Sequence, residues 1–142
     1  MIQTDAKEKS VLVVDDDVNI RTNIVTLMRE QGWRTVEGED GEEAFALAVV
    51  ELPDLIILDV LMPGKSGFDA LKELREDERT VSIPVIMLTA VNDENLGNCY
   101  DAETVGIHVG VLPPEDFVEK PFSAARVLEA VRRVMIGKEA VN

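Results

Sequence analysis

Three aspartates, a threonine and a lysine each stand where a short apolar run breaks off. Val11-Leu-Val-Val14 runs into Asp15-Asp16-Asp17, and Leu55-Ile-Ile-Leu58 runs into Asp59. Val85-Ile-Met-Leu88 ends at Thr89, and Phe117-Val-Glu119 ends at Lys120. Carboxylates gathered within a few ångströms repel one another and raise one another's pKa. A hard divalent cation relieves that repulsion, and Mg²⁺ takes one or two carboxylates, waters and phosphate oxygens. An ammonium and a hydroxyl complete a cradle for a phosphoryl group, with one carboxylate left to act as nucleophile. Each residue alone has an ordinary role. A strand-end aspartate more often caps a helix, and Asp17 is read in that way. A threonine after a strand is usually β-branched filler, and a lysine before proline is usually a solvated charge. Pro121 and Ser123 can start and cap the last helix. The functional reading rests on the joint occurrence of the set, in order, at strand ends on one edge of a sheet.

The elements that must position these residues alternate along the chain. After Asp17, Ile20, Ile24, Leu27 and Met28 recur at helical spacing up to Gly32. Residues 33–36 read as a second strand, whose end, Glu37-Gly38, suggests no chemistry. Gly41–Glu51 reads as a helix stopped before Pro53. Phe68, Leu71 and Leu74 mark a third helix that fades in the charged residues 75–79. Val127, Leu128, Val131, Val134 and Met135 mark a final helix, read as ending at Gly137. Continuous apolar strands alternating with helices predict an α/β fold: a doubly wound five-stranded parallel sheet flanked by helices, flavodoxin-like (βα)5. In such folds ligands sit at the carboxyl ends of the strands.

Composition narrows the function classes. The chain has 142 residues and a formal charge of −14, which suits one domain. Acidity of this size disfavours binding to nucleic-acid backbones or to anionic membranes. The content, 46 % hydrophobic and 30 % charged, is that of a folded domain. The single cysteine, Cys99, forms no internal disulfide, and the single histidine, His108, leaves no multi-histidine metal site. Cys99, His108, Trp33 and Tyr100 are read as packing or surface residues. The polar N-terminus has no signal-peptide core, and no apolar run is long enough to span a bilayer. A cytoplasmic protein is expected.

Four segments together resemble the receiver domain of bacterial two-component response regulators, of the chemotaxis-response-regulator kind. They are Val11-Leu-Val-Val-Asp-Asp-Asp17, Leu55-Ile-Ile-Leu-Asp-Val-Leu-Met-Pro-Gly64, Val85-Ile-Met-Leu-Thr-Ala90 and Phe117-Val-Glu-Lys-Pro-Phe122. The resemblance divides the chain into a polar segment (1–9), a receiver domain (10–136) and a tail (137–142). It implies that Asp59 accepts the phosphoryl group. Asp15 and Asp16 would hold Mg²⁺ (or Mn²⁺), Asp16 directly and Asp15 through water, with Asp59 and the backbone carbonyl of Leu61. Thr89 matches the switch hydroxyl, Lys120 the phosphoryl-pairing lysine, and Phe117 the aromatic switch. Ala90 and Pro121 fall beside the phosphoryl group, and the Lys120–Pro121 bond is typically cis. Met62-Pro63-Gly64 and Gly67 match the turn after the phosphorylation site. The implied donor is a sensor histidine kinase or a histidine phosphotransfer protein. The implied output is a downstream protein target, bound through the fourth helix, fifth strand and fifth helix. The implied role is a signalling domain and not an enzyme, with no direct binding to nucleic acid or membrane.

Two departures stand out. Thr89 and Lys120 are 31 positions apart, longer than the family pattern, and the excess falls in residues 104–116. This Gly- and Pro-punctuated segment reads as an excursion or short hairpin, a tolerated insertion or a recognition element. The usual approach to the fifth strand is missing, which leaves the register of the fourth helix open. Phe117 also lacks the hydroxyl that would bond when exposed, so it is expected to sit inward. A rival reading is a haloacid-dehalogenase-type phosphatase, with Asp15 as nucleophile and Asp17 as general acid; it leaves Asp59 unexplained. An EF-hand loop is rejected, because Ile20 and Thr26 stand where Gly and Glu are required. A stand-alone receiver and a fragment of a longer protein both fit the sequence.

Overall fold

The computed structural model describes residues 8–90 and 112–141. Its strands are β1 (Ser10–Val14), β2 (Arg34–Gly38), β3 (Leu55–Asp59), β4 (Val85–Ala90) and β5 (Asp116–Lys120). Its helices are α1 (Val18–Glu30), α2 (Gly41–Glu51), α3 (Gly67–Glu76) and α4 (Ala124–Val141). The strands form one parallel sheet in the order β2-β1-β3-β4-β5. The connection reverses direction between β1 and β3, which opens a crevice beyond the carboxyl ends of these strands.

Side-chain alternation divides the sheet's two faces. Leu12, Val14, Ile56, Leu58, Val85, Met87 and Phe117 face α2 and α3 through Ala44, Ala48, Ala70, Leu71 and Leu74. Val11, Val13, Leu55, Ile57, Ile86, Leu88 and Val118 face α1 and α4 through Ile24, Met28, Val127, Val131 and Val134. Both faces are covered, which is why these strands read as continuous apolar runs and not as alternating ones. Trp33 is partly buried against the second layer, as its reading as a packing residue expects.

Local signals set the boundaries. Asp17 caps α1, its Oδ1 accepting from the amides of Asn19 (2.8 Å) and Ile20 (3.3 Å). The α1 carboxyl end closes on Gly32 at φ +90°, with Trp33 N–H donating to Met28 O and Gly32 N–H to Arg29 O. Trp33 thus belongs to the closing turn, and the second strand is Arg34–Gly38, not 33–36. Ser123 serves α4, its Oγ accepting from Arg126 N–H at 3.1 Å; Pro121 lies ahead of the helix.

One expected boundary is corrected. Gly137 does not end the last helix, which continues to Val141. An interior glycine costs a helix only about 1 kcal/mol, and Gly137 is not in the left-handed conformation that terminates helices. The fourth helix expected after Thr89, together with Cys99, Tyr100, His108 and residues 104–111, lies outside the described residues.

Candidate functional site

The sheet delivers its polar strand ends to one edge. Asp15 follows β1, Asp59 ends β3, Thr89 and Ala90 end β4, and Lys120 ends β5. Asp15, Asp16 and Asp59 each bring a carboxylate oxygen into a cluster no more than 4.8 Å across. Lys120 Nζ donates to Asp59 Oδ1 at 3.0 Å and lies 3.1 Å from Asp15 Oδ2. Asp15 and Asp59 are buried, at 0 % and 4 % exposure, while Asp16 opens to solvent.

Two buried carboxylates share a single ammonium, and burying charge is expensive unless it is paired. Burial raises the Asp59 pKa most, and the nearby Asp15 charge adds to it. The Lys120 hydrogen bond and charge oppose this, Asp16 contributes a smaller rise, and Asp59 ends at about 7. At Lys120, burial works against the ammonium. The Asp59 hydrogen bond and the charges of Asp59 and Asp15 outweigh it, and its pKa is raised.

Two buried oxygens, Asp15 Oδ2 and Thr89 Oγ1, have no hydrogen-bond partner among the described residues. The ammonium near Asp15 Oδ2 is therefore an ion-pair contact and not a directed bond. A clustered acidic trio with an unbonded carboxylate oxygen is compatible with a site for a hard divalent cation. An unbonded buried hydroxyl on the adjacent strand matches an incoming acceptor such as a phosphoryl oxygen.

Backbone close packing holds the cluster in place. Asp15 Oδ1 accepts from Asp17 N–H at 2.9 Å. After Asp59 the chain turns at Gly64, φ +77°, and returns so closely that a Cβ on Gly67 would lie 2.1 Å from Asp59 O. Gly67 N–H donates to Val60 O at 2.8 Å. The motif's second glycine is therefore a matter of space, since α3 starts directly on the Asp59 backbone. Leu61, two residues past Asp59, is 46 % exposed. The Lys120–Pro121 peptide bond is cis, as the resemblance implies. Ala90 pairs with Lys120 across β4 and β5.

Phe117 is 8 % exposed and belongs to the core layer that includes Met87, its partner across β4. Thr89, two residues beyond Met87, lies on the same sheet face. The inward position expected for Phe117 is the one observed. Asp17 spends its Oδ1 on the α1 cap while Asp59 occupies the cluster, an arrangement that runs against the phosphatase reading.

Sequence reading missed two arginines. Arg21 and Arg75 are buried. Arg75 donates to the carbonyls of Val81, Ile83, Leu112 and Pro113 and to Glu115 Oε1. Arg21 donates to Asp15 O and Glu37 Oε1. Spacing held a signal for both: Arg21 falls on the stripe of Ile24, Val25 and Met28, and Arg75 on that of Leu71 and Leu74.

The family described as "Response regulator receiver domain" matches residues 11–132. The chain is 37 % identical over 127 residues to the phosphate regulon transcriptional regulatory protein PhoB of Pseudomonas aeruginosa, covering 89 % of this chain and 52 % of that protein. It is 35 % identical over 127 residues to the alkaline phosphatase synthesis transcriptional regulatory protein PhoP of Bacillus subtilis, covering 89 % and 48 %. The chain thus spans about half the length of the curated relatives it matches. Among solved structures, the chemotaxis protein CheY4 of Vibrio cholerae superposes with a TM-score of 0.75 at 30 % identity, covering 90 % of this chain and 99 % of that one. The receiver domain of a sensor histidine kinase from Pseudomonas aeruginosa, solved with a magnesium ion coordinated in its active site cleft, has a TM-score of 0.75 at 26 % identity, covering 90 % and 98 %. Matched motifs, sheet order and acidic strand ends agree, and the chain belongs to the response regulator receiver domains, the phosphoacceptor modules of two-component signalling.

Proposed function

We propose that Asp59 is the phosphoacceptor of this receiver and that Asp15, Asp16, Asp59 and the Leu61 carbonyl hold the divalent cation, Mg²⁺ or Mn²⁺. The observation that carries this reading is the acidic cluster with Lys120 bonded to Asp59. The donor is a phosphohistidine on a sensor histidine kinase or a histidine phosphotransfer protein. An Asp59 carboxylate oxygen attacks phosphorus in line; the new P–O bond forms as the P–N bond breaks, and its electron pair returns to the imidazole nitrogen. A bound Mg²⁺ supplies charge neutralisation at the phosphoryl oxygens. Lys120 exchanges its bond to Asp59 for one to a phosphoryl oxygen, and Thr89 donates its free hydroxyl to another. Ala90 and Pro121 line the space beside the group. Movement of Thr89 toward phosphate alters the packing that Phe117 shares on the same face, and a downstream protein target reads the change. The signal is a population shift driven by contacts made only to the phosphorylated state. The setting is cytoplasmic, and the transcriptional roles in the relatives' names belong to proteins of about twice this length.

Incubation with acetyl phosphate and Mg²⁺, read by intact mass, tests the assignment. Wild type gains one phosphoryl group and Asp59→Ala gains none. Equal labelling of Asp59→Ala overturns it.

A further inference from the structure

The end of β2 suggested no chemistry in the sequence, yet it grips the acidic site from two sides. Asp15 N–H donates to Gly38 O at 3.3 Å. Asp15 O accepts from Arg21 Nη1 at 2.7 Å, while Arg21 Nε donates to Glu37 Oε1 at 3.1 Å. Glu37 and Gly38 thereby hold both backbone groups of Asp15, one directly and one through the guanidinium. We propose that Arg21 is a positioning residue for the cation site, acting by locking the peptide between Asp15 and Asp16. This rests on the reading that Asp15 and Asp16 help to hold the cation.

The physics favours a geometric role. The peptide unit is planar, so fixing the Asp15 carbonyl fixes the plane from which Asp16 departs. One hydrogen bond therefore helps to fix the two Cα atoms from which both carboxylates project. Arg21 occupies a core position on α1 beside Ile24, Val25 and Met28, where an apolar side chain would bury at less cost. Its planar fork presents two fixed donors to the carbonyl and Glu37 together, a geometry that the single flexible ammonium of a lysine does not preset. Glu37 offsets much of the arginine's charge, so orientation matters more here than attraction. Space around Gly38 is already tight: a Cβ there would meet Leu47 and Val14 at 3.3 Å. Gly38 O therefore offers Asp15 N–H a fixed acceptor, and Arg21 holds the carbonyl on the other side of the same residue.

The test is Mg²⁺ binding by titration calorimetry on the full chain, with urea stability measured in parallel. Arg21→Met weakens Mg²⁺ binding by ~10-fold or more, the range seen when groups that orient metal ligands are removed. Arg21→Lys, which keeps a donor for the carbonyl, recovers part of that loss. Val25→Ala loses core packing on the same helix face and stays within twofold of wild type in Mg²⁺ affinity. A folded Arg21→Met with wild-type affinity overturns the proposal. So does a Val25→Ala that loses as much affinity as Arg21→Met, since arginine would then act through stability alone. If Arg21→Met does not fold, Glu37→Ala at the exposed end of the clamp decides: weaker Mg²⁺ binding supports the proposal, and unchanged binding overturns it. A wild type that binds no Mg²⁺ overturns the cation reading itself, a result distinct from any of these.

Discussion

Burial first, and the Asp15 charge second, hold the Asp59 carboxyl above the ordinary carboxylate range, with Lys120 offsetting them only in part. Its pKa of about 7 means that it retains a proton in the fold when the unfolded chain has already lost its own. The fold binds more protons over that interval, so stability falls as pH rises from about 4 to about 7 in the absence of a cation. At about 1.4 kcal/mol per pH unit, Asp59→Asn in EDTA gains over wild type by up to a few kcal/mol, most of it above pH 5. Urea denaturation across that window checks the sign, and a pH-independent difference would contradict it. Phe117 is the second residue with a measurable consequence. It sits inward, 8 % exposed, with no hydroxyl to reward exposure, so a weak on/off contrast is expected. Phe117→Tyr is expected to widen the NMR difference between the free protein and its complex with a beryllofluoride phosphoryl mimic. Equal differences in both proteins would remove the idea.

Between elements, Arg75 at the end of α3 makes a tie outside the cluster. Its guanidinium serves four backbone carbonyls and Glu115, and Glu115 Oε1 also accepts from Val85 N–H at 2.7 Å. One side chain thus pins the entries of both β4 and β5 to α3. Residues 112–115 close the long connection between these strands, so that connection is anchored where it rejoins the sheet. Arg75→Met removes the donor from one buried carbonyl, Ile83 O, and three partly buried ones, and is expected to cost about 2–3 kcal/mol. Glu115→Gln keeps an acceptor for Val85 and is expected to cost less than about 1 kcal/mol. Paired urea titrations check the contrast, and equal losses would show the charge to matter more than the carbonyls.

For the whole molecule, the charge of −14 means that added cations act in two ways. Site binding stabilises by about 2.7 kcal/mol at one hundred times Kd, whereas screening follows ionic strength alone. Mg²⁺ is therefore expected to raise Tm above KCl of matched ionic strength, and Asp16→Asn is expected to lose that excess. The same two levels separate what was legible in the residues. Apolar runs ending in Asp15, Asp59, Thr89 and Lys120 identified the parallel sheet and its polar edge, because a strand buried on both faces must be apolar until it leaves the core. Caps at Asp17 and Ser123 and the turn at Gly32 were readable, because each is settled by a few neighbouring atoms. Gly137 misled, because a glycine ends a helix only if the backbone turns left-handed there, and residue type alone does not decide that. The spacing that makes Gly67 indispensable and the work of Arg21 and Arg75 belong to the tertiary structure. Each depends on how turns and strand ends are folded against one another, and a buried guanidinium takes its meaning from the carbonyls that the fold brings to it.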